Sequence, residues 1–226
     1  MALRFNSEVL QAIKKDGYWK SDDADTGERV DHVLIPRIDL QTIEALELFK
    51  ASTFDNKQNR ELIETFSKEP VVVFYRGFGR TKRVHCFRQN VIEVLPDMSM
   101  LILGLCSTRA KVTLLKGSHL YQLNATNAPN GVLAIPDEGI EELILAGKIT
   151  RTEEIFDHGG YVLADGRVGW KVLQGKVAFL GILVPAEAEK WAKMPMPKTE
   201  EHVKILTEME QRMKTICLNF QWQDIA

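Results

Sequence analysis

The sequence predicts one mainly β domain, a sandwich or barrel with helices packed outside it. Three observations carry that expectation. Between residues 70 and 185 the runs VVVFYRG, RVHCFRQ, SMLILGLC, KVTLLKG, GYVLADG and KVAFLGILV are short, apolar, rich in β-branched and aromatic residues, and bounded by turn formers. Before residue 70 and after residue 198 the apolar period becomes that of a helix. A chain of 226 residues with 45% hydrophobic content suffices for one large core, so 1–226 is read as a single domain.

The elements follow in order. NSEVLQAIKKDGYW predicts a helix with Asn6 or Ser7 as cap, Val9, Leu10 and Ile13 on one face, and Asp16-Gly17 as its stop. The acidic stretch 21–31, SDDADTGERVD, predicts a solvated loop. DLQTIEALELFKAS predicts a second helix capped by Asp39, and NKQNRELIETFSKE a third with Leu62, Ile63 and Phe66 on one face. Residues 1–69 are thus helical decoration on a β core at 70–185. PDEGIEELILAGK inserts a helix near 136–147, between the fourth and fifth apolar runs. The C-terminal helix, 198–220, has Thr199 as cap, Glu200 and Glu201 in its first turn, and Val203, Leu206, Met213, Ile216, Cys217 and Phe220 at helical spacing. It is expected to dock on the sheets or on a second subunit, which makes it the candidate homodimer contact.

Composition narrows the partners. Twenty-nine Lys+Arg against thirty-one Asp+Glu leave a net charge of −2, which supplies no long-range attraction for nucleic acid or an anionic membrane. No window approaches a membrane span, and the first residues mix charges where a signal peptide is apolar. A cytoplasmic protein is expected, with Cys86, Cys106 and Cys217 as free, mostly buried thiols. Their spacing lacks Cys-x-x-Cys, which argues against structural zinc.

Four motifs then stand in a telling order: DGYW after the first helix, LLKGSH closing a strand, the helical insertion, and GGYVLADGR. This order resembles the phytanoyl-CoA dioxygenase family, a branch of the Fe(II)/2-oxoglutarate oxygenases, over most of the chain. The resemblance implies a double-stranded β-helix, the cupin-like jelly roll, with a ligand pocket between its sheets and Gly117, Ser118 and His119 near the mouth. It also implies iron on a His-x-Asp pair and a second histidine, since two imidazoles and one carboxylate leave three positions for 2-oxoglutarate and oxygen.

The chain departs from that pattern. His85 matches the first ligand, but Phe87 stands where the aspartate belongs and Trp170, in DGRVGW, where the second histidine belongs. One imidazole cannot compete with water and chelators for Fe(II). Lys176 is the residue that the resemblance offers to 2-oxoglutarate. No metal and no cofactor are therefore expected. The other histidines, His32, His158 and His202, form no i, i+4 or His-x-His pair. Asp157-His158 are chain neighbours that do not usually point at one centre, and a triad with Asp97, Asp157 or Asp165 has no support in the spacing.

What remains is a cavity lined by His85, Phe87, Arg109, Lys111, His119, Tyr121, Arg167 and Trp170, with Lys176 near it. The expected ligand is a mostly apolar small molecule on Phe87 and Trp170. His85 or His119 would move a proton, and Arg167 or Lys111 would stabilise an oxyanion, in an isomerisation, cyclisation or dehydration. The family's use in specialised metabolism implies a biosynthetic intermediate. Two alternatives stand beside this reading. One is a dioxygenase drawing ligands from His119 or His158; the other is a scaffold that uses the terminal helix.

Each residue also has a plainer reading. His119 caps a turn, His158 sits in the turn before Gly159-Gly160, the strand aromatics are core, and Arg109 and Lys111 are solvated. YVLADGRVGWKVL reads equally as a hairpin on a type I′ Asp-Gly turn, which would put Arg167 and Trp170 outside the pocket. His85 and Phe87 share one side of their strand. A histidine inside a β core needs a partner, which makes His85 the stronger of the two histidine candidates.

Overall fold

The computed structural model describes residues 2–34, 41–89 and 97–224, with side chains from residue 6. The chain opens with α1 (Ala2–Asp16), β1 (Tyr18–Asp22), α2 (Ala24–Leu34), α3 (Ile43–Phe49) running into a π-helical segment Lys50–Asp55, and α4 (Lys57–Phe66). The β core runs β2 (Val71–Phe78), β3 (His85–Cys86), β4 (Met100–Cys106), β5 (Ala110–Lys116), β6 (Thr126–Ala128), β7 (Val132–Ala134), α5 (Asp137–Leu145), β8 (Thr150–Phe156), β9 (Gly160–Asp165), β10 (Gly169–Gln174) and β11 (Val177–Leu183). The short α6 (Pro185–Ala188), β12 (Met194–Pro197), α7 (Glu200–Arg212), β13 (Cys217–Leu218) and β14 (Phe220–Gln223) follow.

Two six-stranded sheets face each other, ordered β1-β9-β4-β11-β2-β13 and β6-β7-β3-β10-β5-β8. The chain changes sheet at β2→β3, β3→β4, β4→β5, β8→β9, β9→β10 and β10→β11, and this winding between two sheets makes the double-stranded β-helix. The large sheets are antiparallel except where β13 joins β2. Strands β12 and β14 form a separate parallel pair.

Period-2 alternation explains the layers. On β4, Leu101, Leu103 and Leu105 pack outward on the helices, while Met100, Ile102 and Cys106 point between the sheets. On β11, Ala178, Leu180 and Ile182 go outward, and Val177, Phe179 and Leu183 go inward. Both strands are covered on both faces, which is why their sequences are unbroken apolar runs. Helix α5 covers the outer side of the second sheet through Ile140, against Cys86, Leu115 and Ile135.

Several expectations change. The acidic stretch 21–31 is not a loop: it ends β1 and forms most of α2, whose Val30 and Leu34 are fully buried under β4 and β9. Asp39 lies outside the described residues, and α3 is capped by Thr42, which accepts the Ala45 N–H at 3.3 Å. Helix α1 begins at Ala2, so Asn6 and Ser7 lie inside it. The run RVHCFRQ yields only a two-residue strand. The Asp-Gly hairpin does not form, because β9 and β10 belong to different sheets. The C-terminal helix keeps its Thr199 cap but ends at Arg212. Its Ile205, Leu206 and Met209 are spent on this chain's own core. The cysteines are free, with Cys86 and Cys106 buried and Cys217 exposed. Burial pushes the Cys86 thiol up to about 12 and raises that of Cys106 as well. Among the described residues no helix is long and apolar enough to cross a membrane.

Candidate functional site

The three residues that the resemblance matches to iron ligands lie together in the structure. His85 on β3 is the ladder partner of Trp170 on β10, with ring centroids 5.4 Å apart. Phe87 lies just past β3, where its N–H donates to the Gly166 carbonyl at 3.0 Å. Its ring stacks on Trp170 at 5.4 Å and 24° and on Phe74 at 4.9 Å. Phe78 meets Trp170 edge-on at 4.9 Å, and Phe179 closes the group at 4.7 Å from Trp170 and 5.2 Å from Phe87. Two glycines leave room for these rings: a Cβ on Gly104 would stand 2.8 Å from the Phe179 ring, and one on Gly181 2.3 Å from Phe74.

Polar atoms at this centre are few. Among the described residues neither His85 Nδ1 nor Trp170 Nε1, both buried, meets the distance and angle of a hydrogen bond, and a buried polar atom so placed costs about 1–3 kcal/mol. Burial holds the His85 imidazole below its ordinary pKa; the Arg83 charge adds to this, and the Arg83 backbone opposes it. The imidazole is therefore neutral near pH 7.

Iron of the family type does not fit these residues. It needs two imidazoles and a carboxylate facing one point, and the chain offers one imidazole, a phenyl and an indole. Among the described residues no three His, Cys, Asp or Glu side chains gather where a metal could be held. Lys176 does not reach the centre either: it lies at the β10–β11 turn, with its ammonium on the Leu34 carbonyl.

His119 and Arg167, expected to be catalytic, belong to a buried structural staple. Ser118 Oγ accepts the Gly169 N–H at 2.9 Å, and His119 Nε2 donates to the Lys14 carbonyl at 3.0 Å. Gly117 N–H reaches Asp16, and Asp165 N–H reaches Gly17, both at 2.9 Å. Asp165 holds Arg167 through Oδ1 to the backbone N–H and Nε at 2.9 Å, and through Oδ2 to an Nη at 2.6 Å. Strand β5, the α1–β1 link and the β9→β10 crossover are pinned together there.

The remaining candidates disperse. Arg109 is exposed on the β4–β5 turn with a left-handed φ of 56°. Lys111 pairs with Glu153 on the outer face of the second sheet. Tyr121 packs outside that sheet under the Lys148 ammonium, 5.6 Å away. His32, His158, Asp97 and Asp157 are exposed. His202 is a latch in which Nδ1 meets Thr199 Oγ1 at 2.6 Å and Nε2 donates to Gln41 at 2.8 Å.

Sequence reasoning missed the mouth of the barrel. A cleft of about 440 Å³ opens over His85, lined by Phe78, Lys82, Arg83, Asn127 and Asn130 among others. A second, of about 740 Å³, shares Asn130 and holds Phe74, Arg76, Trp191 and Lys193. The signal was present in β2, where Phe74, Arg76 and Phe78 fall on alternate positions and so share one side.

No family model matches the sequence, and no curated protein does. Solved structures do match. EctD from S. alaskensis, with 2-oxoglutarate and 5-hydroxyectoine, aligns at 13% identity over 82% of this chain and 77% of its own, with TM-score 0.53. The epimerase SnoN, in complex with Fe3+, alpha ketoglutarate and nogalamycin RO, aligns at 11% identity over 80% and 84%, with TM-score 0.52. HygX from Streptomyces hygroscopicus with iron bound aligns at 11% identity over 79% and 86%, with TM-score 0.50. The chain shares the fold of these structures, a double-stranded β-helix.

Proposed function

We propose that this chain is a metal-independent small-molecule enzyme on an oxygenase-type fold, acting as an isomerase, cyclase or dehydratase on an intermediate of specialised metabolism. The observation that carries the reading is the meeting of one imidazole and two aromatic rings, His85, Phe87 and Trp170, at the three positions matched to iron ligands. A neutral imidazole against an aromatic wall is suited to accepting a proton from carbon or oxygen. The substrate's apolar part rests on Phe78 in the cleft, where His85 lies within reach. The alpha ketoglutarate dependent epimerase SnoN, from nogalamycin biosynthesis, supports the fold and suggests the biosynthetic setting.

The filled interior favours one other reading. Phe74, Phe78, Phe87, Trp170 and Phe179 occupy the space between the sheets, as they would in a binding or scaffold protein.

An anaerobic Fe(II) titration with 2-oxoglutarate tests the first point. The expected result is no metal-to-ligand charge-transfer band and no succinate after oxygen is admitted; a stoichiometric band with succinate release overturns the proposal. Any small molecule that raises the melting temperature then separates enzyme from scaffold. For an enzyme, His85→Gln abolishes turnover while keeping the thermal shift.

A further inference from the structure

The barrel mouth carries cations without counter-charges. Arg76 lies over two neighbouring rings, 4.5 Å from the Phe74 centroid and 5.8 Å from that of Trp191, and one of its donors meets the Gly131 carbonyl. The remaining guanidinium N–H groups have no carboxylate partner among the described residues. Burial lowers its pKa from the ordinary arginine value, so its charge is held in partly desolvated surroundings. Arg80, Lys82 and Arg83 follow on the exposed β2–β3 loop, and none of them has an ion-pair partner among the described residues. Lys171 and Lys193 border the same region.

Among the described residues no carboxylate lines the cleft over His85, the cleft that holds Arg76, or the neighbouring cleft of about 580 Å³ between Arg80 and Lys171. Their other polar groups are neutral: Gln41, Thr81, Thr126, Asn127 and Asn130. Other cations of the chain are paired, as in Lys20–Glu154, Arg88–Glu187 and Lys50–Glu208. In a protein of net charge −2 this one-sided patch is local.

We propose that the ligand of the barrel mouth is a small organic oxoanion, an apolar body bearing a phosphate or carboxylate, seated with its anionic group on Arg76 and its body across Asn130 toward Phe78 and His85 in the adjoining cleft. The proposal rests on reading the cleft as the ligand site. A guanidinium packed over two aromatic rings and held by the Gly131 carbonyl loses little freedom on binding, and its remaining N–H donors can meet two oxygens of the anion. Lys82 and Arg83 add attraction that salt screens. This sharpens the expectation of a mostly apolar ligand: the apolar part is retained, and one end is charged.

Calorimetric titration of the full-length protein with phenyl phosphate, benzoate and benzyl alcohol tests it. The two anions are expected to bind and benzyl alcohol not to; the tighter of the two tells phosphate from carboxylate. Arg76→Gln should weaken anion binding at least tenfold, with partial rescue by Arg76→Lys. If Arg76→Gln is poorly folded, the exposed double variant K82Q/R83Q serves instead and should weaken binding and flatten its salt dependence. Benzyl alcohol binding as well as the anions, or anion affinity unchanged in the variants, overturns the proposal. Preference for a single-stranded oligonucleotide over every small anion overturns it too. The two readings fail separately: an unaltered protein that binds the anions but turns over no ligand leaves the anion site standing and sinks the enzyme, whereas turnover lost in His85→Gln with anion binding kept supports both.

Discussion

The aromatic centre and the polar staple adjoin at the start of β10, where Trp170 follows Gly169, yet they have opposite chemistry. At the centre, the buried His85 Nδ1 and Trp170 Nε1 make no hydrogen bond among the described residues, amid Phe78, Phe87 and Phe179. At the staple, Ser118, His119, Asp165 and Arg167 are buried and hydrogen-bonded. The difference teaches that the Gly-Ser-His and Asp-Gly-Arg motifs carry architecture. Each crossover between the sheets leaves backbone N–H and C=O groups that need partners inside the protein. Those partners are required whatever chemistry the centre performs, so the motifs can persist while the ligand positions change.

The comparison can be broken from either side. Asp165→Ala strands the buried Arg167 charge and should cost about 3–5 kcal/mol in urea unfolding. A loss under about 1 kcal/mol would show that the staple is dispensable. Trp170→Ala removes the ring shared by the whole centre and should cost about 3 kcal/mol, the lower end of the range for aromatic truncation, because three neighbouring rings can relax into the space. If it stabilises the protein instead, the centre is strained rather than packed. Ser118→Ala removes one acceptor of a buried N–H and should cost about 1–2 kcal/mol, with protection of the Gly169 amide from hydrogen exchange falling in parallel.

The smallest effect concerns pH. The folded-state pKa of His85 lies below the unfolded value, so between the two the unfolded chain binds the extra proton. Above the unfolded value, about 6.5, His85 contributes no pH dependence; as pH falls below it, stability declines until the folded form also protonates. His85→Gln should flatten that part of the stability profile. An unchanged slope would place its origin in another group.

Much of the fold was legible because periodicity reports burial. The unbroken apolar runs at β4 and β11 announced strands covered on both faces, and the helical insertion and the Thr199 cap were readable locally. The meeting of His85 and Phe87 on one side also followed from the pleat. Helix α2 was hidden because its acidic, Gly-containing sequence looks solvated until Val30 and Leu34 find β4 and β9. The mouth was hidden because the cations of the β2–β3 segment fall between two apolar runs, where no periodicity reports what they face.

The sequence by itself determined which faces are apolar, where strands and most helices lie, and that two of the positions matched to iron ligands carry rings. Only the tertiary structure decided what those faces meet. It sent β9 and β10 to different sheets, turned His119 toward Lys14, 105 residues away in sequence, and closed Arg167 onto Asp165. The physical reason is that local patterning records the burial of a side chain, whereas its partner depends on contacts between distant segments that no local window contains.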